Sequence, residues 1–179
     1  ESPMSDLHPT PYRPFLARVA IHPAPWLAGR ATEIAVARLT DMGESSYEEV
    51  WLAEEGPSLK VANIPFFLYG IAPADLVTEW QWVTDDLGRH VRVVTRVLRR
   101  NGVDVYRLIL LQPESARATI SNLSADVPEL GVEWSSGNYA AIAVECGPRS
   151  ERVRDCLTKA DAEGAMKFEK ATAEGLTSF

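Results

Sequence analysis

A mixed α+β fold is predicted, with a β-rich N-terminal lobe followed by a βαββαβ sandwich, and three observations predict it. After Arg100 the apolar periodicity switches between two and 3.6 in the order strand, helix, strand, strand, helix, strand. Between Glu33 and Arg100, short β-rich segments separated by turn chemistry follow one another without a helical stripe. The composition of the 179 residues, 46% hydrophobic and 24% charged, is that of a globular protein rather than a disordered chain. The first lobe is therefore expected to be a small barrel or meander, and the second a ferredoxin-like sandwich.

Residues 4–30 form the first segment, an arm carrying Pro9, Pro11, Pro14, Pro23 and Pro25, with a short strand at Leu16–Ile21 expected to lie against the body. A floppy tail is the competing reading, because termini are ordered only when something ties them down. Glu1-Ser2-Pro3, ahead of Met4, is set aside as a remnant outside the fold.

The β-rich lobe, residues 31–100, is expected to hold strands at Ile34–Leu39, Tyr47–Ala53, Leu59–Asn63, Leu76–Thr84 and His90–Leu98. Asp85-Asp86-Leu87-Gly88 makes the last two an antiparallel hairpin. On the second strand of that hairpin, Val91, Val93, Thr95 and Val97 should form the apolar face, leaving Arg92 and Arg96 toward solvent or a partner.

The sandwich, residues 101–173, opens with the strand Val103–Leu111 and is followed by a tail, residues 174–179. A helix near Glu114–Asp126 carries the stripe Ala116, Ile120, Leu123 and Val127. The strands Val132–Ser135 and Tyr139–Glu145 flank the turn Ser136-Gly137-Asn138. A second helix near Ser150–Glu163, with Ser150 as its expected cap and Gly164 as its stop, precedes the strand Ala165–Lys170.

One block of sequence resembles a known family. Asn63-Ile64-Pro65-Phe66-Phe67, Asp75-x-Val77 and the strand tryptophan Trp51 are similar to the pattern of a bacterial family, domain of unknown function 4265, over about Glu33–Ala173. Ala74 stands where similar proteins carry a glycine, and Gly102-Val103 where they show a glycine-histidine pair. The resemblance implies a bacterial cytoplasmic protein and no particular activity.

The formal net charge of −7 works against nucleic acid and anionic membrane, since affinity for polyanions comes from Lys and Arg. No run reaches the ~20 apolar residues of a membrane span, and no signal-peptide pattern opens the chain, so cytoplasm is the expected compartment. Cys146 and Cys156 lack the spacing of a zinc site or disulfide framework, and no cofactor fingerprint occurs. No metal, cofactor or catalytic residue is assigned.

His8, His22 and His90 are expected as solvated or edge residues, because none has a partner at metal or triad spacing. Glu48, Glu49, Glu54 and Glu55 around Trp51, and the pair Asp85-Asp86, are expected as solvated carboxylates. Cys156 is expected in the core. Cys146 lies where a helix start would lower its thiol pKa, without a histidine to make it a nucleophile. Asp75 is expected to bind turn amides.

The aromatic residues Trp51, Phe66, Phe67, Tyr69, Trp80, Trp82, Trp134 and Tyr139 belong mainly to cores. The expected function is a non-catalytic binding or interaction protein, regulatory or immunity-like, with a protein or peptide partner or a small anionic ligand. The alternative is a small-molecule or peptide sensor or enzyme. It would use a pocket between the lobes, with Trp80, Trp82, Arg92, Arg96 and Tyr69 as binding residues.

Overall fold

Strand periodicity places Ala31–Arg38 (β2), Tyr47–Glu55 (β3), Ser58–Val61 (β4), Leu76–Thr84 (β5) and His90–Arg99 (β6) in one sheet, joined by the two-residue strands Val19–Ala20 (β1) and Thr177–Ser178 (β11). The computed structural model describes residues 19–22, 31–39, 46–172 and 177–178. The rest of the expected arm, and the tail except for Thr177–Ser178, lie outside the described residues. The sheet runs β1-β3-β2-β6-β5-β4, and β3 also pairs with β4, so the pairings of β2 to β6 form a closed circuit. Within it β2 and β6 run parallel and the other neighbours antiparallel. The circuit encloses Ala35, Ala37, Val50, Leu52, Val61, Val77, Val94 and Val97.

The expected one-sided alternation of β6 holds only in part. Val91 and Val93 pack with Val36, whereas Val94 and Val97 enter the enclosed core. Register shifts along β5 between Leu76 and Trp80 accompany this exchange of faces.

The second sheet combines Val103–Leu110 (β7), Gly131–Ser136 (β8), Tyr139–Glu145 (β9) and Met166–Lys170 (β10), all neighbours antiparallel, in the order β10-β7-β9-β8. Pro113–Asp126 (α1) follows β7, and Pro148–Ala162 (α2) follows β9. Period-two alternation gives the sheet two apolar faces. Tyr106, Leu108, Leu110, Ile142, Val144 and Met166 pack against Ile120 and Leu123 of α1 and Val153 and Leu157 of α2. The opposite face presents Val105, Ala141 and Ala143, small enough for the 62–72 loop of the first lobe to bring Ile64, Phe66 and Ala72 onto it.

Both helices begin with proline at the first turn, and neither has a side-chain N-cap. The expected Ser150 cap is thereby corrected. Gly147 occupies the cap position, and Ser150, inside α2, donates instead to Asp104. Gly164, at φ +75°, ends α2 in the left-handed region.

Ala74 explains the family pattern at its position: its φ is +68°, a conformation that glycine adopts without a Cβ penalty. Ala74→Gly is therefore expected to stabilise the protein by about 0.5–1 kcal/mol, the removed strain being partly offset by the freer unfolded chain. Urea denaturation measures this, and a destabilised variant would contradict it.

Candidate functional site

The residues expected to form a pocket divide into separate groups. On the face of β5 and β6 that also carries Val94, the Arg92 guanidinium lies 4.2 Å from the centre of the Trp80 ring and 4.8 Å from that of Trp82, while its Nε donates to Glu33 at 2.8 Å. Trp82 is 57% exposed. Arg96 pairs with Glu79 at 3.3 Å across the hairpin. Tyr69 belongs to the junction with the second sheet, where its ring lies 4.0 Å beneath the Arg107 guanidinium and its hydroxyl donates to Glu169. Arg107 also donates to the Leu68 carbonyl and lines a cleft of about 170 Å³ with Ile109, Tyr139 and Lys167.

The junction itself is built around a residue the sequence reading placed in solvent. His22 is fully buried, its ring stacked on Phe66 at 4.2 Å and 7°. Its Nδ1 lies 2.7 Å from Glu133 Oε2, its Nε2 lies 2.9 Å from Glu48 Oε1, and its backbone N–H donates to Glu49 Oε2 at 2.9 Å. Carboxylates only accept, so both ring nitrogens carry protons and the group is an imidazolium. Burial pulls its pKa down, but the hydrogen bonds to Glu133 and Glu48 and their charge outweigh that and raise it to about 9. The solvated-histidine expectation fails here, as does that of solvated acids at Glu48 and Glu49, both of which are wholly buried.

The acids are held by the family block. Glu48 accepts from the backbone N–H groups of Phe66, Phe67 and Leu68, and Glu133 from that of Ile64. Asn63 bonds the backbone of Trp51 and Glu49, and Tyr139 donates to the Phe66 carbonyl. The Asn63–Phe66 motif is thus a loop whose amides fix two acids from different sheets. The signal in the sequence is Glu48-Glu49 adjoining the apolar run Val50–Ala53, and Glu133 between Val132 and Trp134.

A larger cleft, about 500 Å³, opens where β7 and β10 meet the start of α2. Asp104 is the hub of its floor: Ser150 Oγ donates to it at 2.6 Å, Thr172 Oγ1 at 3.1 Å and Lys170 Nζ at 2.9 Å, while Tyr106 OH bonds Ser150. Arg100, Arg154, Lys170 and Cys146 line it. Burial favours the protonated Asp104 carboxyl, but hydrogen bonds from Ser150, Lys170 and Cys146 prevail and lower its pKa. Lys170 is raised: its partial burial is outweighed by Asp104.

Cys146 is exposed, yet its thiol is pushed up to about 11 by partial burial and by the Asp104 carboxylate, contrary to the lowered value expected beside a helix start. Burial first, and then the nearby carboxylate, favour the neutral thiol. Cys156 is half-buried against the helix-side core, not fully within it.

Asp75 connects this cleft to the family pattern. It accepts from the backbone N–H groups of Ala72 and Asn101, the turn role expected of it, with Arg100 3.5 Å away. Burial, opposed by these bonds and by Arg100, raises its carboxyl to about 6.

Fold and site together define a two-sheet α+β protein with a buried ionic junction and a polar cleft. The chain belongs to the DUF4265 family, a domain of unknown function, whose profile matches residues 48–168. No functionally curated protein matches it. Among solved structures it is similar to a hypothetical protein from Neisseria gonorrhoeae, with a TM-score of 0.59 and 12% identity over 80% of this chain and 94% of that one, a likeness of fold alone. No helix among the described residues is long and apolar enough to cross a membrane.

Proposed function

We propose that this chain is a non-catalytic binding protein of the bacterial cytoplasm, regulatory or immunity-like in use, that takes a small anionic ligand in the 500 Å³ cleft. The observation that carries this reading is the cleft itself, where Arg100, Arg154 and Lys170 stand around Asp104 and Glu151, and the pKa directions of its groups agree with it. Asp104 is shifted toward its anion, Lys170 toward its cation and Cys146 toward its neutral thiol. General acid–base catalysis wants groups poised near the working pH, and nucleophilic catalysis wants a thiolate. These groups suit holding a ligand. Arg100, Arg154 and Lys170 supply its counter-charge, and the volume suits a small molecule.

The lobes support the same reading. The closed strand circuit is consistent with a small barrel, and the β10-β7-β9-β8 order with a ferredoxin-like layer. A second reading, a protein or peptide partner, is favoured by the exposed Trp82 stacked on Arg92, residue types that dominate binding hot spots.

Native mass spectrometry of gently purified protein, with and without Arg154→Glu/Lys170→Glu, tests the proposal. A small-molecule adduct that the double variant loses is expected. An adduct retained by the variant overturns the cleft assignment, and so does a bare chain that shows no saturable response to a panel of carboxylates and phosphates. A bound polypeptide would transfer the function to the Trp82 face.

A further inference from the structure

The His22 junction has the geometry of a receptor occupied by its own ligand. Glu48, Phe66 and Glu133, which bond or stack on the ring, lie within the family-matched segment, while His22 comes from the arm outside it. The carboxylates of the walls have supports in the body as well as the arm. Three backbone N–H groups of the 66–68 loop orient Glu48, and the Ile64 N–H orients Glu133. Phe66 contributes a flat apolar face parallel to the ring. Two carboxylates set to receive two donors at opposite edges of one plane, with an aromatic floor beneath, select a small planar cation that donates from both ends.

We propose that this slot is a binding site for a planar N-heterocyclic cation of imidazolium type, filled in cis by His22. The arm is then a tethered ligand, seated by the β1–β3 pairing of Val19 with Tyr47 and Ala20 with Glu48. The slot is preorganised, so little ordering is needed when a free cation replaces the side chain. It is independent of the cleft described above.

Chemical rescue of full-length His22→Ala tests the inference, with imidazole as the probe and the thermal midpoint as the readout. Imidazole is expected to restore at least half of the midpoint lost by the variant, saturably, while leaving the wild type unchanged. N-methylimidazole, which offers one donor, should restore clearly less. Should His22→Ala be unfolded on its own, recovery of near-ultraviolet dichroism on adding imidazole counts as the same positive result. No rescue in either form, an equal shift in the wild type, or equal rescue by N-methylimidazole would each overturn the proposal.

Discussion

Replacing His22 by alanine is expected to lower the free energy of unfolding by about 3–5 kcal/mol, the usual cost of leaving a buried charge without its partner. The magnitude follows from what remains. Glu48 is fully buried and Glu133 nearly so, and both are held by backbone amides that prevent them from turning to solvent. Urea denaturation at about pH 7, followed by tryptophan fluorescence, measures the loss. Ile21→Ala is the control. Its side chain is 53% exposed, so truncation should change stability by no more than about 0.5 kcal/mol. A His22→Ala loss no larger than that of the control would show that the ionic junction contributes nothing to holding the two sheets together.

The second large effect is the pH dependence of stability. His22 titrates at 6.5 when unperturbed and at about 9 in the fold. A folded pKa above the unfolded one means that the native state binds more protons between those values, so stability falls as pH rises through the window. The contribution is complete below 6.5 and lost above about 9, a change of about 3 kcal/mol at 1.36 kcal/mol per pKa unit. Asp75, raised from 3.8 to about 6, acts in the same direction in a separate, lower window. Denaturation midpoints measured from about pH 6 to pH 10 should therefore decline in the wild type. The His22→Ala variant should be nearly flat between 6.5 and 9, and above 9 both proteins should share the decline that the raised Cys146 thiol brings. A wild-type profile flat between 6.5 and 9 would rule out an imidazolium at the junction.

Much of the fold was legible because periodicity and turn chemistry are local. The strands Leu76–Thr84 and Tyr139–Glu145 fall where alternation placed them, and Pro113, Pro148 and Gly164 punctuate the helices as their backbone constraints require. Asp75 was assigned its turn role from sequence because an aspartate bonding amides within a few residues is a short-range event. Trp80, Trp82 and Arg92 lie together because a hairpin register brings neighbouring strand positions together, whereas Arg96 and Tyr69, expected in the same pocket, lie elsewhere.

His22, Glu48 and Glu133 were not legible as a unit. They are separated by 26 and 111 positions from the histidine, and no spacing rule links an arm, an inner strand of one sheet and a strand of another. Glu48 in isolation has the composition of a solvated carboxylate. It is buried because the 66–68 amides and His22 replace the water it would otherwise hold. Cys146 shows the same limit, since its helix start was visible in sequence and the burial and Asp104 carboxylate that set its pKa were not.

The residues by themselves determined the order of elements, the apolar faces and the family, because each depends on neighbours along the chain or on a short motif. Tertiary structure alone decided which charges are buried and paired. Desolvation and hydrogen bonding act through space, and their sign at His22, Asp104 and Cys146 depends on groups that only folding brings within about 3 Å.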